Sequence, residues 1–223
     1  MPDGQYSFYL HSDDRTDIAA MATISTISQP LRGEFIRTAA TAGAVVYRVD
    51  ARLPALIPVF FAGQLSAVRL CAVMALVSGT WSSLTGLPDE PENGEAALPV
   101  SPETEYQRRR YTLTLQNGRS GERVESVLTE ASSRLRGDLL RNLIITGLAL
   151  HTTAPELPRL LASMPVPPTS VSELQALVQQ MAGTADVNRA AAAVPDTPAA
   201  SAAPVSGSDT RELKKNMRRA FGD

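Results

Sequence analysis

The sequence has little of the chemistry that enzymes and metal proteins use. Its 223 residues include one cysteine, two histidines and one tryptophan, and only 5% are aromatic. The lone Cys71 excludes an intramolecular disulfide and a zinc site built from cysteines, and such cysteine usage is typical of a reducing compartment. No Gly-rich phosphate loop, paired-carboxylate site or Ser/His/Asp arrangement can be assembled. We therefore predict a protein that is not an enzyme and that holds no metal or cofactor.

Membrane and export signals are also weak. The chain does not open with a basic residue cluster followed by an apolar segment, so we expect a cytoplasmic protein. Residues 59–81 are apolar, but Gln64 and Arg69 interrupt them, and we predict no membrane span. Their apolar surface is instead a candidate contact between chains.

The net charge of -2 is small and would by itself argue against a nucleic-acid partner. The charge is unevenly distributed, however. Residues 82–105 contain six acidic residues and no base, whereas residues 106–183 contain nine arginines against six acidic residues. Residues 209–223 contain five bases against three acids. In the net charge, the acidic segment thus offsets two basic segments, and nucleic-acid binding stays open.

Composition divides the chain into five segments. Residues 82–105 are acidic and rich in proline, which is typical of a solvated linker, and residues 184–208 are rich in Ala, Pro, Ser and Thr, which is typical of a flexible spacer. We therefore predict one folded repeat at 1–81, the linker at 82–105, a second repeat at 106–183, the spacer at 184–208 and a basic tail at 209–223.

The two folded segments resemble each other. An offset of 104 aligns Leu-Arg-Gly-Glu-Phe-Ile-Arg at 31–37 with Leu-Arg-Gly-Asp-Leu-Leu-Arg at 135–141, and it also pairs Gly43 with Gly147. An offset of 105 aligns 6–11 with 111–116. Because one offset holds over about 50 positions, we interpret the chain as a tandem duplication.

Each copy contains the same order of predicted elements. A short alternating strand (6–11 and 111–116) precedes a helix (14–28 and 121–134). A second helix follows, with Gly43 or Gly147 at its middle, where a close helix crossing would explain the glycine. A third helical segment runs from Leu53 to near Gly79, and from Leu157 to near Gly183. We predict a mainly α fold with short β-strands.

A single strand with one apolar face needs a partner strand. The duplication supplies one, so we predict a two-stranded antiparallel ribbon on a helical base, with both copies forming a pseudo-dimer. Such a ribbon fits the DNA major groove. The outer face would present Ser7, Tyr9, His11, Thr112, Thr114 and Gln116 to bases, and phosphates would be held by Arg32, Arg108, Arg109, Arg110 and Arg136. The alternative is an ordinary half-buried sheet with solvated arginines.

The chain resembles the ParR/StbB-type plasmid segregation adaptors. The resemblance lies in the predicted strand and in the segments Leu-Arg-Gly-Glu-Phe-Ile-Arg (31–37), Leu-Pro-Ala-Leu (53–56) and Leu-Pro-Arg-Leu-Leu (157–161). This resemblance implies two ribbon-helix-helix repeats with helical caps in a bacterial, plasmid-encoded protein. It further implies binding to double-stranded DNA at a tandem-repeat centromere, repression of a nearby promoter and coupling to an actin-like ATPase filament. The usual single copy that homodimerises is here duplicated, so the ribbon could form within one chain or between chains.

The last fifteen residues have the pattern of a short amphipathic helix. Leu213, Met217 and Phe221 recur every four residues, with basic residues between them. A helix this short is marginal alone, and we expect it to fold on docking to a partner. In the plasmid segregation interpretation, Leu213, Lys214, Met217, Arg218 and Phe221 bind the filament; a basic tail that adds nonspecific DNA affinity is the alternative.

Two other functions remain open at this point. One is a ribbon-helix-helix repressor without a filament partner, and the other is a scaffold protein that does not bind DNA. Self-association on DNA is compatible with the first of these and with the segregation adaptor.

Overall fold

The computed structural model describes residues 4–80 and 107–192, with side chains up to residue 183. The linker predicted at 82–105, most of the spacer predicted at 184–208 and the tail predicted at 209–223 lie outside the described residues. So do the five tail residues predicted to bind a partner.

A two-stranded antiparallel ribbon joins the two copies. Strand β1 (Gln5–His11) pairs with strand β2 (Arg108–Thr114), with Ser7 opposite Thr112. Main-chain hydrogen bonds from Leu115 to Gly4 and from Ser12 to Gln107 extend the pairing at both ends. The predicted antiparallel ribbon is thus confirmed, and it forms within one chain.

Two helices follow each strand. In the first copy they are α1 (Arg15–Ser25) and α2 (Arg32–Val49), and in the second they are α5 (Arg119–Glu130) and α6 (Arg136–Thr153). The Asp14 side chain caps α1 by accepting a hydrogen bond from the Asp17 N–H at 2.9 Å. The N-cap residue of α5 is Gly118, whose φ of 136° requires glycine.

The third helical segment of each copy is two helices, where the sequence predicted one. In the first copy, helix α3 (Leu53–Phe60) precedes α4 (Ala67–Ser78), and in the second, α7 (Leu157–Ser163) precedes α8 (Val171–Ala192). Each of these helix pairs is called the cap of its copy. Gly63, with φ of 101°, lies in the first break, and three prolines (Pro165, Pro167 and Pro168) lie in the second. These residues interrupt helical hydrogen bonding, which the count of apolar residues alone did not reveal.

The predicted ends of these segments differ in accuracy. Gly79 caps α4 with φ of 71°, as expected of a helix that stops at glycine. Gly183 does not end α8, which continues to Ala192 and thus into the segment predicted as a flexible spacer.

The two glycines in the second helices mark a close crossing of α2 and α6. A Cβ added at Gly43 would lie 2.6 Å from the Leu143 carbonyl carbon, and one added at Gly147 would lie 2.5 Å from the Ala39 Cα. Leu143 and Ala39 are themselves equivalent by the repeat offset, so the crossing is pseudo-symmetric. The predicted close approach is confirmed.

The two copies share one core. Helix α2 packs on α6, α5 and α7, whereas α6 packs on α3 and on β1, so elements of each copy cover the other. Phe8, Leu10, Leu113 and Leu115 point from the ribbon into this core and are at most 3% exposed. Hydroxyls at equivalent positions, Thr16 and Ser120, donate to the carbonyls of Pro58 and Ala162 and tie the first helices to the caps. The predicted fold class, two ribbon-helix-helix-like repeats with helical caps, is confirmed.

Helix α4 of the first copy contacts α8 of the second copy at Cys71 and Gln179. Leu70 and Leu174, equivalent by the offset of 104, are both fully buried. Cys71 is buried beside the side chain of Gln179, and burial raises the pKa of its thiol. A buried thiol held protonated is a core residue, as expected for a free cysteine in an apolar helix.

Candidate nucleic-acid interface

The outer face of the ribbon combines polar and basic side chains from both copies. Because directly opposed residues point to the same side of an antiparallel pair, the outward pairs follow from the register. They are Gln5 with Thr114, Ser7 with Thr112, Tyr9 with Arg110, and His11 with Arg108. The β2 members of these pairs are all exposed. The predicted set of Ser7, Tyr9, His11, Thr112 and Thr114 is therefore brought together on one face.

Two arginines on this face are held by neighbours from β1. The Arg110 guanidinium donates to the Ser7 hydroxyl, with Nη2 at 2.9 Å and Nε at 3.2 Å. The Arg108 guanidinium carbon lies 3.6 Å above the centre of the Tyr9 ring, a cation–π contact. Stacking uses the flat side of a guanidinium and leaves its edge N–H groups available for other partners. Both side chains are thus oriented while remaining exposed.

The three consecutive arginines do not share one face. The sequence placed Arg108, Arg109 and Arg110 ahead of the second strand, whereas β2 begins at Arg108 and includes all three. Alternation places Arg109 on the inner side, opposite Leu10 and 5.2 Å from the centre of the Tyr111 ring. The three arginines therefore do not point to one face, because successive residues of a strand point to opposite sides. Arg109 is nevertheless exposed, and a phosphate contact for it stays a prediction.

Gln116 also differs from its predicted place. The sequence assigned it to the outer face of the second strand, but β2 ends at Thr114. Gln116 is exposed in the turn that leads to α5, where its backbone contacts Gly121. A role in DNA contact for Gln116 stays a prediction, now from a turn.

Arg32 and Arg136 have a structural role that the sequence did not predict. The Arg32 Nε donates to the carbonyl of Ile27 at 2.8 Å, and the Arg136 Nε donates to the carbonyl of Ala131 at 3.2 Å. Each guanidinium thereby closes the loop between the first and second helices of its copy. Arg32 and Arg136 are partly buried, and the phosphate contact predicted for them stays a prediction.

The second helices begin beside the ribbon. Gly137, in the first turn of α6, is so near β1 that an added Cβ would be 3.4 Å from the Ser7 carbonyl oxygen. Amide N–H groups in the first turn of a helix lack helical partners and carry a partial positive charge. The N-terminus of α6 is therefore next to the main chain of β1 at Ser7.

A buried ion pair anchors one end of the ribbon. The Asp17 carboxylate is fully buried and accepts hydrogen bonds from Arg141 Nε at 2.6 Å and from the His11 N–H at 2.9 Å. Burial raises the pKa of Asp17, and the bonds from Arg141 and His11 act in the opposite direction. The pair connects α1 of the first copy, α6 of the second copy and the end of β1.

The equivalent pair is missing at the other end. The offset of 104 replaces Asp17 by Gly121 and Arg141 by Arg37, and Arg37 instead contacts Glu34 of its own helix at 2.6 Å. A cleft of about 370 Å³ lies there, lined by Arg37, Arg119 and Arg159 among others. This asymmetry was not predicted from the sequence, although the Asp17 to Gly121 exchange within the aligned repeats was a visible signal.

Other kinds of site have little support within the described residues. In residues 4–80 and 107–183, no three His, Cys, Asp or Glu side chains come together in a way that could hold a metal ion. No helix in the described part of the chain is long and apolar enough to span a bilayer.

The ribbon, the crossed second helices and the shared core define a tandem ribbon-helix-helix-like protein. Residues 4–74 and, again, residues 109–178 match a family described as plasmid stability protein. The chain belongs to this plasmid stability protein family, and the double match agrees with the internal duplication. No significant match to the chain was found among curated proteins or solved structures.

Proposed function

We propose that this plasmid stability protein acts by binding double-stranded DNA, with its two-stranded ribbon in the major groove. The observation that carries the proposal is the pair of exposed, oriented guanidiniums of Arg108 and Arg110 among hydrogen-bonding side chains on the outer face. A two-stranded ribbon fits the width of the major groove, and arginine is the side chain most often used to read guanine there.

The surroundings of the ribbon support the same function. The start of α6 beside Ser7 offers free backbone N–H groups, and phosphate oxygens are the natural partners of helix N-termini. Arg134, just before α6, is exposed and adds positive charge at this edge. These groups would hold the DNA backbone while the ribbon contacts bases.

The finer proposal is a partition adaptor. In it, the ribbon binds a centromere made of direct repeats, several chains associate along that DNA, and the tail binds an actin-like ATPase filament. Its support is the family membership and the amphipathic stripe of Leu213, Met217 and Phe221. A spacer before the tail would let several DNA-bound chains reach one filament end, which adds avidity.

DNA binding can be tested by gel shifts on duplex DNA from upstream of the gene. We expect binding that weakens steeply as salt rises, because phosphate contacts release counterions. The double variant Arg108→Ala/Arg110→Ala should bind at least about 30-fold more weakly, since each good arginine contact contributes about 1–3 kcal/mol. Arg159→Ala is the matched control, because Arg159 lies exposed on α7, outside the ribbon.

The control should bind like the unchanged chain, and all three proteins should melt at similar temperatures. An absence of salt-sensitive binding by the unchanged chain would contradict the proposal and favour a scaffold protein that does not bind DNA.

The tail is tested by deleting residues 209–223. We expect DNA binding to persist while cosedimentation with filaments of an actin-like ATPase encoded beside the gene is lost. A matched control keeps the tail's charge but replaces Leu213, Met217 and Phe221 with serine, and it should also lose the filament. Filament binding that survives both changes would favour the repressor without a filament partner.

A further inference from the structure

We infer that one chain reads a non-palindromic DNA site in a fixed orientation, with the end of the ribbon that carries Arg108 and Arg110 placed on guanine. This inference rests on the proposed DNA binding and adds the kind of site that is recognised. It follows from how the two copies are related across the ribbon.

The pseudo-twofold axis of the ribbon passes through one residue pair. The offset that aligns the two strands is 105, so it relates Ser7 to Thr112. Ser7 and Thr112 are also directly opposite each other in the observed register. A pair whose members are equivalent and opposed lies on the axis, and the ribbon therefore has two halves that can be compared position by position.

The outward positions that are described in both halves differ in chemistry. On one side of the axis the ribbon presents Tyr9 and His11 from β1 with Arg110 and Arg108 from β2. On the other side the offset replaces Tyr9 by Thr114 and Arg110 by Gln5. One half therefore carries two guanidiniums, and the described residues of the other half carry an amide and a hydroxyl. Two identical strands would instead present the same groups on both sides.

This difference matters because the side chains prefer different bases. Arginine pairs through two hydrogen bonds with O6 and N7 of guanine, whereas glutamine pairs with N6 and N7 of adenine. Ser7 and Tyr9 hold Arg110 and Arg108 over the outer face. The two ends of the ribbon thus favour different base pairs, and the preferred site has no dyad symmetry.

The helical base is asymmetric in the same sense. At the arginine end, Asp17 fixes the main chain of His11 and is itself held by Arg141. At the other end, the cleft beside Gly121 occupies the corresponding place. The arginine end is therefore the more firmly supported of the two. On a row of direct repeats, every bound chain would point the same way.

The test is a selection of duplexes with a 20-bp random core by the purified full-length chain, followed by sequencing and gel shifts. We expect a motif without dyad symmetry that contains guanine on one side. Arg110→Gln, which copies the Gln5 side, should lose the guanine preference there by about 5- to 150-fold, with little change on the other side. Gln5→Arg should add a guanine preference on the opposite side and make the motif more symmetric.

The outcomes separate this inference from the proposed function. A palindromic motif, or binding without any sequence preference, would overturn the inference while leaving DNA binding intact. A motif that does not respond to either variant would also overturn it. A chain that enriches no duplex and shifts no DNA would overturn the proposed function itself. Matched melting temperatures show that both variants are folded.

Discussion

Replacing Gly43 with alanine is expected to lower the free energy of unfolding by about 3 kcal/mol or more. The added Cβ would overlap the main chain of Leu143 in α6, with its carbonyl carbon only 2.6 Å away. Backbone cannot rotate aside as a side chain can, so the two central helices must separate. Overpacking of a well-packed core costs about 1–3 kcal/mol even where side chains can adjust. Gly147→Ala should have a similar effect through Ala39.

Gly183→Ala is the matched control for this prediction. Gly183 lies within α8 and has open space around the position of an added Cβ. Alanine is favoured over glycine in helices by about 1 kcal/mol, so this variant should be slightly more stable than the unchanged chain. Urea denaturation of the three variants measures the difference. Equal effects of Gly43→Ala and Gly183→Ala would show that the helix crossing is looser than the structure has it.

The features predicted from sequence are those that the duplication repeats. The ribbon could be predicted because each copy has one alternating strand, and a strand needs a partner. The helix crossing could be predicted because Gly43 and Gly147 recur at one place in two otherwise ordinary helices. In each case two independent copies of a local pattern carried information that one copy would not.

The features missed depend on register or on long-range contacts. The inward direction of Arg109 was missed because the sequence placed the three arginines ahead of the strand, whereas β2 begins at Arg108 and the alternation of a strand applies to all three. The breaks after α3 and α7 were missed because the apolar pattern continues on both sides of them. The loop-closing bonds of Arg32 and Arg136 join residues five apart around a turn, which a helix or strand period does not indicate.

The asymmetry between the two copies could not be predicted by searching for similarity between them. Aligning the repeats emphasises what they share, whereas Asp17 and Gly121 differ at one aligned position. The structure shows the consequence of that exchange, which is a buried ion pair at one end of the ribbon and a cleft at the other. A duplicated chain can thus give its two halves different roles while keeping one fold.

Arg141→Ala is expected to lower the free energy of unfolding at neutral pH by about 2–4 kcal/mol. After this substitution, the buried Asp17 carboxylate keeps the hydrogen bond from the His11 N–H but has lost its cationic partner. Removing one partner of a buried ion pair is strongly destabilising. Arg37→Ala is the matched control from the other copy. Arg37 pairs with the exposed Glu34 of its own helix, and such surface pairs contribute about 0–1 kcal/mol.

The effect of Arg141→Ala should also depend on pH. Burial already raises the pKa of Asp17, and removing Arg141 takes away its share of the interactions that oppose this rise, while the hydrogen bond from the His11 N–H remains. A carboxyl whose pKa is higher in the folded than in the unfolded chain binds more protons when folded, so stability decreases as pH rises between the two values. The deficit of Arg141→Ala should therefore shrink as the pH falls from about 7.5 towards about 4, near the pKa of Asp in unfolded chains. Urea denaturation across that pH range measures the stability deficit. A deficit that does not change with pH, or one that Arg37→Ala equals, would show that Asp17 does not depend on Arg141.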